Sequence, residues 1–294
     1  MSRVLMLTHP GGEHVPPARS GRGEVLYPWN TNSAHRRKFL ICGARLAEAH
    51  GGGYGMASEA RQVALWGEWE PPSMAMRQSS SQEPMTPGAW HRPLLDKTSL
   101  NDPPRDAQNT DPWIFGPVMR YSNCRQTRHA ALRELNAGDV LFFGSLKRRD
   151  RHGARADRFG FFLDTVFVVG KSAPHPQPTE ERDHLFRRAV LKRLRDDVLL
   201  GLTMYDGRML DSESSAGLFC WVPCRPLVGG DPQSGRFARP LVNEVLGLPD
   251  VGSNPRLPYR EIPLAPDVAW KLVADHCANL GLNMAVRVDA AEEP

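Results

Sequence analysis

Two indole rings and two carboxylates lie within five residues of one another, in the segment Trp66-Gly67-Glu68-Trp69-Glu70. On an extended strand, successive side chains point to opposite faces, so Trp66, Glu68 and Glu70 are predicted to share one face. An aromatic ring beside carboxylates can stack on a planar heterocycle and accept hydrogen bonds from its N–H groups. The structural alternative is an edge strand with packed Trp rings and solvated Glu side chains, and the segment alone does not decide between the two.

Further side chains near the middle of the chain suit the same chemistry. Tyr121, like the two Trp residues, offers an aromatic surface, and stacking contributes roughly 1–3 kcal/mol per base. Amide, hydroxyl and carboxylate groups can bond the Watson–Crick edge of an extruded base. The predicted ligand-binding residues are Trp66, Glu68, Trp69, Tyr121, Asn123, Gln126 and Ser145.

Basic residues are clustered, although the formal net charge is only +4. Residues 147–158 carry six basic side chains against two acids, and Arg36-Arg37-Lys38 forms a second cluster. Such clusters often contact phosphate backbones, while the alternative is a solvated loop. The predicted phosphate-binding residues are Arg36, Arg37, Lys38, Lys147, Arg148, Arg149 and Arg151.

A catalytic interpretation stays open beside the binding one. Glu68, Glu70 and Asp164 could hold a divalent metal or divide acid and base roles in glycosidic cleavage. No serine has the Gly-x-Ser-x-Gly context of an activated nucleophile. Cys220 and Cys224 lack the second cysteine pair that a structural zinc site commonly uses. The sequence therefore favours a binding protein over an enzyme and predicts neither a metal nor a cofactor.

The elements that would position these groups are mostly strands. Strands are predicted at residues 3–8, 37–46 and 61–70, followed by an irregular insertion at 71–110. Two apolar runs, Val140 to Gly144 and Phe159 to Val169, are predicted to pair antiparallel after a turn at Asn136-Ala137-Gly138-Asp139. Helical patterns run from Thr179 to about Leu199 and from about Asp267 to Leu280, and a closing strand is predicted at 284–288.

The runs "LNAGDVLFFGS" and "FGFFLDTVFVV" resemble the β-barrel of PUA-like domains, which include the EVE, ASCH and YTH modules. The pattern from Asp111-Pro112 through Tyr121 and Asn123 is similar to the nucleotide-modification-associated domains of bacteria and phages. The resemblance covers about residues 111–170. It implies a small curved barrel with a pocket for a base, often a modified one, in DNA or RNA. No residue of the YTH aromatic cage is matched.

The chain of 294 residues is expected to form a single α+β domain. Its PUA-like core would lie at about 111–170, and residues 171–294 would form a helical and irregular C-terminal extension. No run of about 18 apolar residues or export signal is present, so a cytoplasmic location without membrane contact is expected. The expected partner is nucleic acid or a nucleotide.

Overall fold

The computed structural model describes residues 2–8, 36–69, 112–122, 132, 134–148, 159–174, 186, 203–210, 217–231, 234–248 and 259–289. These residues form mostly β-structure. The strands are β1 (Val4–Thr8), β2 (Arg36–His50), β3 (Gly53–Met56), β4 (Arg61–Trp69), β5 (Arg120–Ser122), β6 (Val140–Arg148), β7 (Phe159–Pro174), β8 (Thr203–Gly207), β9 (Val222–Pro226), β10 (Tyr259–Glu261) and β11 (Asn283–Val288). One helix, α1 (Pro266–Asn279), precedes β11.

A six-stranded mixed sheet has the order β10-β1-β6-β7-β8-β5. Its centre is the antiparallel β6–β7 pair, which confirms the predicted pairing of the two apolar runs. β6 is also paired with β1, in parallel, and its first four side chains are buried, as expected for a central strand covered on both faces. A bulge between Phe143 and Gly144 shifts the β6–β7 register. Such bulges re-aim the side chains that follow them, and Ser145 is one of these.

A second set of strands, β11, β9, β4 and β2, forms a closed antiparallel ring, because β11 pairs with both β9 and β2. β3 extends this sheet from β2. The ring therefore lies outside residues 111–170, where the sequence placed the barrel core. In the mixed sheet, β6 and β7 of that region have neighbours on both edges and β5 is the edge strand, so these three strands do not close on themselves. Two strands of the predicted C-terminal extension, β9 and β11, complete the ring.

The two sheets meet at Trp221, immediately before β9. Its amide donates to the carbonyl of Val166 on β7, and the reverse bond is also made, both at 2.9 Å. α1 packs beside this junction, because the indole of Trp270 donates to the carbonyl of Phe219 at 2.9 Å. Pro266 begins the helix, and Gly281, with φ of 69°, follows its end. The predicted helix at 267–280 is thus confirmed.

The remaining predicted elements fall in three groups. The strands predicted at 3–8, 37–46 and 61–70 correspond to β1, β2 and β4. The helix predicted from Thr179 to Leu199 lies outside the described residues, except for a buried Phe186 in helical conformation, and the insertion at 71–110 also lies outside them.

Within the described ranges, no helix has the length and apolar character that crossing a membrane requires.

Candidate nucleic-acid interface

Trp66 lies at the surface of the closed ring of strands β2, β4, β9 and β11 and not within its core. It lies on β4 and is only partly buried. Its indole Nε1 donates to the carbonyl oxygen of Phe237 at 2.9 Å. Phe237 belongs to residues 235–243, which we call the bridging segment. The indole of Trp66, which the sequence singled out, is therefore fixed in place by a chain segment about 170 residues further along.

The bridging segment begins by packing against the outer face of β4. Gly235 lies so close to this face that an added Cβ would be 2.6 Å from the Cβ of Ala64 and 2.5 Å from Cδ2 of Leu227. Ala64 is fully buried beneath it. Because only glycine fits at this approach, the segment is fixed close to the strand that carries Trp66.

The middle of the segment is fixed by a buried ion pair. Nη1 of Arg239 donates to Oδ1 of Asp164 at 2.8 Å and to Oγ of Ser145 at 3.0 Å. The side chains of Arg239 and Asp164 are 0% and 2% exposed. The guanidinium also lies 5.6 Å from the ring centroid of Phe162. A charge buried this deeply is tolerated because the opposite charge and a hydroxyl meet it with good geometry.

The end of the segment is hydrogen-bonded to β7. Leu163 donates to the carbonyl of Pro240 at 2.9 Å, and Val242 donates to the carbonyl of Phe161 at 3.0 Å. The amide of Phe161 donates in turn to Oδ1 of Asn243 at 3.2 Å. The bridging segment thus joins the Trp66 end of β4 to the ends of β6 and β7, where the basic tract 147–158 begins. Five residues separate Phe237 from Val242, so this connection spans at most about 18 Å.

The register of β2 against β4 brings two predicted motifs together. Arg36 is opposite Trp69, Arg37 is opposite Glu68, and Lys38 is opposite Gly67. The basic cluster and the aromatic-acidic motif, 30 residues apart in sequence, therefore occupy one end of a single antiparallel pair. In the second basic tract, the backbones of Lys147 and Arg148 pair with Gly160 and Phe159 at the end of the β6–β7 hairpin.

Comparison with protein-family models, with curated proteins and with solved structures gave no match to this chain.

Tyr121 and Ser145 lie away from any open surface. Tyr121 is 2% exposed and is stacked on Tyr205, with ring centroids 6.0 Å apart. Its other ring neighbours, Phe143 and Phe167, belong to the centre of the mixed sheet. Ser145 is fully buried and bonded to Arg239. Tyr121 therefore acts as a core residue, and Ser145 contributes to holding the bridging segment instead of facing a ligand.

The other predicted residues are described only in part. Asn123, Gln126, Glu70, Arg149 and Arg151 lie outside the described residues. For Glu68, Trp69, Arg36, Arg37, Lys38, Lys147 and Arg148, the structure describes the backbone strands.

Asp164, named in the catalytic alternative, is engaged by Arg239, which neutralises its charge in the buried site. A divalent cation at Asp164 would therefore have to displace the guanidinium. Within the described ranges, no group of three or more His, Cys, Asp or Glu side chains is arranged to hold a metal.

Cys220, Cys224 and Cys277 are buried thiols. Burial raises the pKa of Cys220 to about 12, despite hydrogen bonds from the backbone. Burial raises the pKa of Cys277 to about 12 as well. Burial also raises the pKa of Cys224. Because the thiolate is the reactive form, these side chains remain protonated and inert at neutral pH.

Sequence reasoning missed the residues that organise this interface. Phe237, Arg239 and Asn243 lie in a stretch rich in Gly and Pro that shows no periodicity. The motif Arg236-Phe237-Ala238-Arg239-Pro240 does interleave an aromatic ring with two cations, which is a pattern typical of nucleic-acid contacts. That pattern could have drawn attention to the segment, but not to its partners on β4 and β7.

Proposed function

We propose that this protein binds nucleic acid or a nucleotide along the surface from Trp66 through the bridging segment to the ends of β6 and β7. The observation that carries the proposal is the β2–β4 register, which sets Arg37 opposite Glu68 and Lys38 opposite Gly67. Cations supply affinity through phosphate contacts, and aromatic rings and acceptors select among bases.

The second basic tract supports the same surface. β6 ends at Arg148 and β7 begins at Phe159, so the backbone of Lys147 and Arg148 lies at the end of the hairpin that the bridging segment contacts. Because that segment spans at most about 18 Å, a nucleic-acid strand bound along it would extend from the Trp66 end of β4 to the hairpin end that carries Lys147 and Arg148. Small single-strand-binding domains cover roughly 4–16 nucleotides, which is a comparable extent.

We extend the proposal to membership of the PUA-like superfamily and to recognition of a modified base. The support is a small closed antiparallel barrel with a partly buried Trp66 on its surface. An extruded base can stack on such a ring, and Glu68 would accept from its N–H groups.

Binding is tested by fluorescence anisotropy with labelled oligonucleotides, both modified and unmodified, over a series of salt concentrations. We expect log K to fall linearly with log salt, because bound cations release counterions from the phosphates. Replacing Arg36, Arg37 and Lys38 together by Gln is expected to reduce the slope by about 2 for a single strand. Binding that ignores ionic strength would count against the proposal.

A further inference from the structure

We propose that Arg225 is a phosphodiester contact of this interface. The inference rests on the proposed function and extends it to a residue outside both basic tracts. Arg225 lies on β9 directly opposite Ala64 of β4, and Trp66 follows two residues later on β4. Opposed residues in an antiparallel pair, and residues two apart on a strand, project from the same face. Arg225, Ala64 and Trp66 therefore share the outer face that the bridging segment crosses.

Among the residues that the structure describes, the contacts of the Arg225 guanidinium are to neutral groups. Nη1 donates to the carbonyl of Arg236 at 2.9 Å, and Nη2 donates to the carbonyl of Leu280 at 3.3 Å. Cζ lies 5.8 Å from the ring centroid of Phe237. In the part of the chain that the structure describes, no carboxylate pairs with this guanidinium. The carbonyl contacts thus orient the guanidinium, and no described carboxylate neutralises its charge.

An arginine in this state suits a phosphate. The guanidinium has five N–H donors, and the two carbonyl contacts leave donors for an incoming oxygen pair. The contacts to Arg236 and Phe237 also fix the side chain, so little rotamer freedom is lost when it binds. Phe237 accepts the Trp66 indole bond through its carbonyl, so Arg225 is one contact away from the ring that would stack on a base.

A purely structural role is the alternative. Leu280 is the C-cap residue of α1, and a basic side chain near a helix C-terminus can bond its last carbonyls. That role explains the Leu280 contact but does not require the contacts to Arg236 and Phe237. The two roles predict different effects on the salt dependence of binding, which only a phosphate contact changes.

The experiment compares Arg225→Gln with Arg61→Gln, which removes the same charge elsewhere. Arg61 is exposed at the start of β4, five residues or about 17 Å along the strand from Trp66. Binding of a labelled oligonucleotide is measured as a single strand and as a duplex over a salt series, and a labelled mononucleotide is included. Thermal unfolding of each variant is recorded beside it.

We expect R225Q to reduce the slope of log K against log salt by about 0.7 for the single strand and 0.9 for the duplex. R61Q should keep the wild-type slope. R225K keeps a point charge without the planar fork, so it should keep the slope and lose affinity several-fold. If R225Q does not fold, the affinity of R225K relative to that of R61Q is the measurement that decides.

The failures are distinguishable. If the wild type binds with salt-dependent affinity and R225Q keeps the slope of R61Q, Arg225 caps α1 and the inference is overturned while the proposed function stands. The inference is also overturned if R225K binds the oligonucleotide with the same affinity as R61Q. It is overturned as well if the Arg225 variants lose affinity only for the mononucleotide. If the wild type binds no oligonucleotide, the proposed function fails and the inference fails with it.

Discussion

Asp139 and Asp164 are both buried carboxylates that contact an arginine, yet they are compensated in different ways. Asp139 accepts from the backbone amides of Arg3 at 2.7 Å and Asn136 at 2.9 Å, and the Arg3 side chain, 3.5 Å away, is 26% exposed. Asp164 depends on Arg239, which is 75 residues away and fully buried. The first carboxylate closes a turn with two backbone amides, and its arginine partner is partly exposed. The second is paired with a buried guanidinium on a distant segment, so substituting that arginine is expected to perturb the bridging segment.

The largest expected effect follows from removing Arg239. Arg239→Met removes the buried guanidinium that pairs with the Asp164 carboxylate, and breaking a buried ion pair typically costs about 3–5 kcal/mol in the free energy of unfolding. Urea denaturation measures this loss. The double variant R239M/D164L, which removes both charges, should recover most of it. We also expect R239M to weaken oligonucleotide binding, because the segment that holds Trp66 is released from β7.

The buried pair is confirmed if the double variant R239M/D164L loses less stability than the sum of the losses in R239M and in Asp164→Leu. If R239M costs no more than Ser145→Ala, for which the loss of one hydrogen bond to a charged group predicts about 1.5–3 kcal/mol, the pair is not as isolated from water as its burial indicates.

The next effect is expected at Asp139. In Asp139→Asn, one carboxylate oxygen becomes an NH2 group that faces a backbone N–H, so one charge-assisted bond is lost at a cost of about 2 kcal/mol. Arg3→Met should cost less than about 1 kcal/mol, because the Arg3 side chain is partly exposed to solvent and its ion pair with Asp139 is long, at 3.5 Å. Urea denaturation checks both values. Equal costs for D139N and R3M would contradict the conclusion that the backbone amides provide most of the compensation.

This contrast also explains what the sequence could predict. The turn at Asn136-Ala137-Gly138-Asp139 was predicted, because its groups are adjacent and Gly138 has the positive φ, 89°, that such a turn favours. The β6–β7 pair was predicted from two neighbouring apolar runs. The Asp164–Arg239 pair was not predicted, because a contact across 75 residues leaves no local pattern.

The candidate interface was predicted in the same partial way. The unusual composition around Trp66 and the charge clusters are local features, so their chemistry could be inferred. Their convergence through residues 235–243 depends on which strands pair, and the closed ring joins β2 and β4 to strands more than 150 residues away. For the same reason, Tyr121 was predicted as a ligand contact although the mixed sheet covers its ring.

A smaller effect is expected from Trp66→Phe, which tests the contact of the bridging segment with β4. The substitution removes the indole N–H bond to Phe237 and should cost about 1 kcal/mol of stability. An aromatic ring remains, so binding of an oligonucleotide should weaken only slightly. Trp66→Ala removes the stacking surface and should cost roughly 1–3 kcal/mol of binding free energy. Equal binding by W66F and W66A would show that the ring does not contact a base.

The smallest effect at neutral pH concerns Tyr205, whose hydroxyl lies beside the Asp139 turn and accepts from the Leu135 amide at 3.3 Å. Burial raises the pKa of Tyr205, and the Asp139 charge adds to this. Because the folded-state pKa is raised, stability is unaffected below the ordinary value of about 10 and falls as the pH rises above it.

Tyr205→Phe removes this alkaline contribution at a cost of about 1 kcal/mol at pH 7, since the Leu135 amide loses its acceptor. Urea curves from pH 8 to 11.5 should therefore converge for the two proteins as the pH rises. The raised pKa values of the buried thiols of Cys220 and Cys277 also lower the stability of the protein over this range. This contribution is the same in both proteins and cancels in the difference. Curves that stay parallel would mean that the hydroxyl reaches water, and that the Asp139 side of the comparison is more hydrated than its burial indicates.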